Sequence, residues 1–102
     1  MWTRETLEKL FMKGSFPFAF TRFMEPQVTP FLIIRTEGTN NIHSDLKMLE
    51  VIEAFSLELY YRDPKDREEF EIFLTENGFI WQRVTADISI GDDGVLEAVY
   101  DI

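Results

Sequence analysis

The single histidine, His43, is the first side chain in this sequence that could do chemistry. With Asp45 close by, it could act as a general base or supply half of a metal site. A catalytic zinc ion needs three protein ligands, however, and the sequence has no second histidine and no cysteine. We therefore interpret His43 as a turn or surface residue.

Two carboxylate pairs, Glu68-Glu69 and Asp92-Asp93, could suggest glycosidase or calcium chemistry. The first pair lies opposite the apolar stripe of its predicted helix, and the second lies in a predicted hairpin turn without the alternating ligands of a calcium loop. The sequence also has no phosphate-binding loop, nucleophile elbow or dinucleotide fingerprint. We predict that the protein is not an enzyme, with no catalytic residue, no cofactor and no metal ligand.

Composition sets limits on fold and partners. A chain of 102 residues with 45% hydrophobic side chains fits one globular domain, predicted over residues 1–102. Its net charge of −9 disfavours binding to phosphate backbones, so no sequence-specific nucleic acid partner is expected. Apolar runs such as residues 31–34 are far too short to span a bilayer, and the N-terminus does not resemble a signal peptide. We expect cytoplasmic synthesis and no membrane partner.

A cluster of phenylalanines near the N-terminus has two interpretations. Phe16, Phe18, Phe20 and Phe23 could form a stacking platform for single-stranded nucleic acid, but such platforms accompany a basic groove and only Arg22 is close by. Core packing is therefore the favoured interpretation.

The positions of these residues depend on the elements that hold them. Apolar spacing predicts a helix over residues 3–12, and a second helix is bounded by the N-cap pair Asp63-Pro64 and by Gly78. Apolar runs predict five strands, over residues 16–21, 31–34, 48–61, 80–90 and 95–102. One face of the fourth is predicted to be apolar, with Ile80, Val84, Ala86, Ile88 and Ile90.

The segment of residues 37–45 is dense in turn-forming residues, so it is predicted to be an exposed loop. The long strand after it would span on the order of 45 Å, and must bend at a bulge or project in part. The predicted fold is α+β, in the order α-β-β-β-α-β-β, with a single mostly antiparallel sheet packed against two helices.

Several short strings resemble one protein family. They are Thr29-Pro30-Phe31-Leu32-Ile33-Ile34, then Gly38-Thr39-Asn40-Asn41, then Leu57-Glu58-Leu59-Tyr60, followed by an acidic helix, an aromatic strand and the ending Glu97-Ala98-Val99-Tyr100. Together they resemble the tail terminator, or tail completion, proteins of long-tailed phages and prophages, over most of the chain from about residue 16.

This resemblance implies an assembly protein of the virion, located at the junction of tail and head. Such a protein forms a ring, usually a homo-hexamer, on the last ring of tail tube protein. It stops tube polymerisation and presents the surface to which the head connector, or stopper protein, docks. DNA would pass through the ring, and the charge of −9 motivates the hypothesis that an acidic lumen lets it pass without sticking.

We predict the subunit or tube interface at the Gly-Thr-Asn-Asn segment and on the long strand, with Gly38, Thr39, Asn40, Asn41, His43, Asp45, Glu50, Glu53 and Glu58. Glu50, Glu53 and Glu58 could instead form a solvated face. Whether the segment meets the tube, the connector or a sister subunit stays open. The alternative functions are another head–tail joining or stopper protein, and a non-viral acidic module that binds a basic protein.

Overall fold

Two helices and one five-stranded mixed sheet make up the fold, which confirms the predicted α+β class and element order. The computed structural model describes residues 2–44 and 47–102, and for residues 37–44 and 47–53 it describes the course of the backbone only. The elements are α1 (Arg4–Phe11), β1 (Phe18–Phe20), β2 (Phe31–Ser44), β3 (Lys47–Tyr61), α2 (Pro64–Glu76), β4 (Gln82–Ile90) and β5 (Val95–Asp101).

The strand order across the sheet is β1-β2-β3-β5-β4. Strand β1 pairs in parallel with β2, and the other three pairings are antiparallel. As predicted, β1 is an edge strand with Pro17 just before it, where the missing N–H of proline breaks no ladder bond. It is shorter than predicted, because only Phe18–Phe20 pair with β2.

Both helices begin at the residues that the sequence offers as caps. The Thr3 hydroxyl accepts a hydrogen bond from the Thr6 N–H at 3.2 Å, and the Thr6 hydroxyl in turn accepts from the Thr3 N–H at 2.9 Å. At α2 the Asp63 carboxylate accepts from the Lys65 N–H at 3.0 Å, and Pro64 occupies the first turn. Such caps typically stabilise a helix by about 1 kcal/mol.

The helices cover one face of the sheet with an aromatic core. Phe11 of α1 is the hub, because its ring lies within 6.3 Å of the rings of Phe18, Phe70, Phe73 and Phe79, measured between centroids. The sheet contributes alternate residues that are almost fully buried, namely Leu32, Ile34, Phe55, Leu57, Leu59, Tyr61, Ala98 and Tyr100. Since burying one such side chain is worth about 1.5–3 kcal/mol, this layer is the main source of stability.

The N-terminal phenylalanines lie where core packing predicts. Phe16, Phe18 and Phe20 are half-buried and pack against the core, which confirms their interpretation as core residues. Phe23 instead packs edge-on against Phe31, with 5.6 Å between the ring centroids.

The predicted loop over residues 37–45 is wrong for the residues that the structure describes. Strand β2 continues to Ser44, and its ladder with β3 includes Thr39 opposite Glu53 and Asn41 opposite Val51. The long apolar strand gives these turn-forming residues a partner to pair with, and this outweighs their local preference. Gly38 falls at a register shift, where a glycine is common in strands. Asp45 lies outside the described residues.

The predicted apolar face of the fourth strand is also interrupted. Strand β4 begins at Gln82, so Ile80 precedes it and is 93% exposed. Two register shifts follow, and Asp87 has a φ of 56°, in the left-handed region. Because each shift changes which face the next residue occupies, the alternation of the sequence does not survive. Val84, Ile88 and Ile90 remain substantially exposed.

A network of polar side chains joins α2 to the last three strands; we call it the polar bridge. At its centre the Glu71 carboxylate accepts hydrogen bonds from the Tyr100 hydroxyl at 2.7 Å, from Arg67 at 3.0 Å and from Arg83 at 3.2 Å. Arg67 also lies 3.4 Å from the Asp87 carboxylate. One acidic residue of α2 is thereby held by β4 and β5 together.

Tyr61 completes the polar bridge and accounts for the irregular backbone of β4. Its hydroxyl donates to the Asp87 carboxylate and accepts from the Asp87 N–H, the latter at 2.8 Å. Aspartate tolerates a left-handed backbone better than most residues, and here both of its polar groups are satisfied by a fully buried tyrosine. Burial and the hydrogen bond to Asp87 raise the pKa of Tyr61 to about 12.

All three tyrosines of the chain lie in such environments, so we predict that none ionises in the folded protein near pH 10. Burial first, then contact with carboxylates, raises the pKa of Tyr60 (Glu97 and Glu58) and of Tyr100 (Glu71) above their ordinary values. Because the folded chain keeps protons that the unfolded chain releases above about pH 10, the free energy of unfolding falls as pH rises from there through the folded-state pKa values.

The measurement is tyrosinate absorbance at 295 nm followed together with far-ultraviolet circular dichroism. We expect both signals to change in one cooperative step above pH 10, whereas the chain in urea should ionise near its ordinary pKa of about 10. Tyrosinate formation at pH 10 with intact secondary structure would contradict the prediction.

Candidate functional site

A two-stranded arm extends from the body of the sheet. It consists of residues 36–44 of β2 and 47–55 of β3, which pair with each other. In the described sheet, β1 pairs with β2 only at residues 32–34, and β5 pairs with β3 only at residues 56–61. At ~3.3 Å per residue the arm is about 30 Å long. The molecule accordingly measures 52 × 28 × 25 Å along its principal axes.

Most of the predicted interface residues lie on this arm. Gly38, Thr39, Asn40, Asn41 and His43 belong to β2, and Glu50 and Glu53 belong to β3. The ladder brings the two groups together, with Thr39 opposite Glu53 and Ile42 opposite Glu50. Residues that are distant in the sequence thus share one projecting element.

Glu58 lies at the base of the arm and differs from the other predicted residues. Its carboxylate is 2.6 Å from Arg35 Nε and accepts a hydrogen bond from the Tyr60 hydroxyl at 2.9 Å. The Phe31 ring stacks on Tyr60, with 5.0 Å between centroids. These contacts join β2 to β3 near the point where β5 stops pairing with β3. Glu58 therefore has a structural role at the base of the arm, and its part in an interface stays a prediction.

The opposite edge of the sheet presents a second surface for association. Strand β4 pairs with β5 along one side only, so its outer N–H and C=O groups lie on a free edge within the described sheet. Exposed apolar side chains occur on β4 itself, namely Val84, Ile88 and Ile90, and others lie on α2 (Ile72) and just before β4 (Ile80). An edge of this kind pairs readily with another chain.

Two open hollows flank β4. One, of about 520 Å³, lies near the β4–β5 turn and is lined by residues such as Val28, Tyr60 and Ile90. The other, of about 510 Å³, lies between α2 and Trp81. Three glutamates line the second hollow. Among the described residues only Glu71 of these three has an intramolecular partner, because it accepts three hydrogen bonds in the polar bridge.

No family model and no curated protein matches this sequence. Within residues 2–44 and 47–102, no helix combines the length and apolar character needed to cross a membrane. The same residues contain no group of three or more histidine and acidic side chains placed to hold a metal ion.

The arrangement offers surfaces for protein contacts. A two-stranded ribbon is only marginally stable in water by itself and gains from a third surface to pack on. The sequence marked Gly38, Thr39, Asn40, Asn41, His43, Glu50 and Glu53 as candidate interface residues, and it assigned the first five to a loop and the two glutamates to the long strand. The β4 edge and the hollow beside Trp81 were missed; the acidic, apolar composition of α2 was the available signal.

We predict that the arm is dispensable for folding. Replacing residues 37–54 by Asn-Gly leaves Thr36 and Phe55 as the pair that flanks a two-residue hairpin turn. The core residues that the structure describes all lie outside the replaced segment, so we expect the free energy of unfolding, measured by urea denaturation, to stay within about 1 kcal/mol of the full-length value. A variant that does not fold would show that the arm belongs to the folding unit.

Proposed function

We propose that this protein is a structural component of phage tails that forms a ring on the end of the tail tube, terminates tube polymerisation and provides the docking surface for the head connector. The observation that supports this best is the two-stranded arm, which extends beyond the residues at which β1 pairs with β2 and β5 pairs with β3. The family resemblance of the arm sequence supports the same role.

The arm suits a protein that works by assembling. Its two strands pair only with each other, and of its described side chains only Phe55, at its base, belongs to the buried core. An element of 18 residues that extends beyond the packed body offers a surface for contact with a neighbouring subunit or with the tube. In a ring, each arm would lie across the next subunit or reach down to the tube end.

The sheet also has the two unlike edges that a ring requires. A ring is built from heterologous contacts, in which one surface of a subunit meets a different surface of the next. Here β1 forms one edge with three residues, and β4 forms the other with nine. The proposed ring is a homo-hexamer, with the tail tube protein on one side and the head connector on the other.

No chemical step is part of the proposal. Among the described residues, the carboxylate with the most hydrogen bonds is that of Glu71, which accepts from two arginines and a tyrosine and so stabilises the fold. DNA would pass through the ring without sequence-specific binding, because a chain with 19 acidic and 10 basic residues repels it.

The test is tail length in the phage or prophage that encodes this chain. We expect deletion of the gene to give tails of variable, excessive length that do not join heads, as seen by negative-stain electron microscopy. Supplying the full-length chain should restore uniform tails. The variant with Asn-Gly in place of residues 37–54 should not, although it folds, because it lacks the arm.

A matched control separates loss of the arm from a general effect of altering a hairpin. Asp92→Asn changes the exposed β4–β5 turn and leaves the arm intact, so it should restore uniform tails. Normal tails in the deletion strain would refute the terminator role. Tails of normal length that fail to join heads would instead favour another head–tail joining protein.

A further inference from the structure

The hollow between α2 and Trp81, here called the α2 groove, has an apolar floor and an acidic rim. Ile72, Thr75 and Trp81 line it together with Glu68 and Glu76. Trp81 is fixed in place, because its Nε1 donates to the Thr75 hydroxyl at 3.1 Å and its ring packs edge-on against Tyr100 at 5.6 Å. A preorganised indole beside carboxylates suits a cationic side chain, which gains from both.

The cations that could fill the α2 groove are concentrated in one part of the chain. Residues 2–23 contain four basic and two acidic side chains, whereas residues 24–102 contain six basic and seventeen acidic ones. The four basic residues of the first part are Arg4, Lys9, Lys13 and Arg22, all exposed, and we call them the basic side. The sequence therefore combines a basic N-terminal part with a strongly acidic remainder.

Arg4 of the basic side lies at the β1 edge of the sheet, away from the edge strand that follows Trp81. Arg4 lies over the Phe20 ring of β1, at 4.4 Å from its centroid, and Phe11 of α1 packs on Phe18 of the same strand. Strand β1 is one edge of the sheet, and β4, which Trp81 immediately precedes, is the other.

A single copy of the chain does not fill its own groove. Helix α1 packs on the flank of α2 that carries Phe73, whereas Glu71 and Thr75 face Arg83 and Trp81 on the other flank. Among the described residues, Glu68 and Glu76 form no ion pair within the chain. The charge of the rim is thus left for a partner.

We infer that the α2 groove binds the basic side of a second copy of this chain, in a head-to-tail contact. This inference rests on the proposed ring and specifies which two surfaces of neighbouring subunits meet. Strong negative charge elsewhere on the chain opposes other orientations, so the same charges that attract one pair of surfaces select against the rest.

The experiment reverses the charge of each surface separately and then together. Glu68→Lys with Glu76→Lys alters the groove, and Lys13→Glu with Arg22→Glu alters the basic side; these side chains have no described intramolecular contact. We expect each double variant alone to weaken self-association at least about tenfold, measured by light scattering and sedimentation velocity. Mixing the two variants should restore assembly, because both possible contacts between them are again complementary.

The control carries the same change of net charge as the groove variant, at other exposed sites. Glu25→Lys with Asp92→Lys should assemble as the unaltered chain does. Assembly of the unaltered chain should also weaken as salt is raised, because the rim charges are exposed.

Two results would overturn the inference. One is assembly of the groove variant at the affinity of the unaltered chain, and the other is an unaltered chain that remains monomeric throughout. Neither result decides the proposed function, which is judged by tail length in the deletion strain. Capture of an unrelated basic protein by a monomeric chain would instead identify an acidic binding module.

Discussion

The structure depends on how unequally strand β3 is supported along its length. Residues 56–60 pair with β2 on one side, residues 56–61 pair with β5 on the other, and Leu57, Leu59 and Tyr61 are fully buried against the helices. The first nine residues of β3 pair with β2 alone. One strand thus divides the chain into a packed body and an arm, and the boundary is where β5 ends at Asp101.

The polar bridge attaches the edge strand β4 to the rest of the packed body. Strand β4 has two register shifts and little buried surface, so main-chain pairing with β5 alone would hold it weakly. Arg83 and Asp87 anchor it instead to Glu71 and Tyr61, which are held by the core. Since hydrogen bonds to charged groups contribute about 1.5–3 kcal/mol each, such anchors offset the shortage of apolar burial.

What the sequence could predict followed from local signals. Asp63-Pro64 fixed the start of α2, and alternation with the turn at Gly91 and Gly94 indicated the C-terminal hairpin. These signals need only neighbouring residues. The continuation of β2 through Gly38 and Asn41 depends on a partner strand that follows later in the chain, so turn-forming residues gave the wrong local answer. The polar bridge unites four elements and leaves no local pattern.

The site shows the same division between local and long-range information. Short strings marked the candidate interface residues, but the contact between Glu58 and Arg35, at 2.6 Å across the ladder, depends on long-range pairing that no local pattern shows. The α2 groove needed more still, because Thr75 and Trp81 become one surface only when the chain turns after Gly78, whose φ of 80° a side chain would oppose.

Charge and shape together suit the proposed assembly of several subunits on the end of the tube. In the proposed ring each arm would contact a neighbour, and part of the binding free energy of each contact would be spent on fixing the arm in one position. Each contact alone is then weak, and a subunit joins firmly only where several contacts form at once, as at the end of a preformed tube. That behaviour would suit a cap, because subunits that associate only weakly in solution close rings most readily on the tube. The proposed head-to-tail contact would also give a strongly acidic chain a use for a basic surface, since repulsion between copies must be overcome in one orientation only.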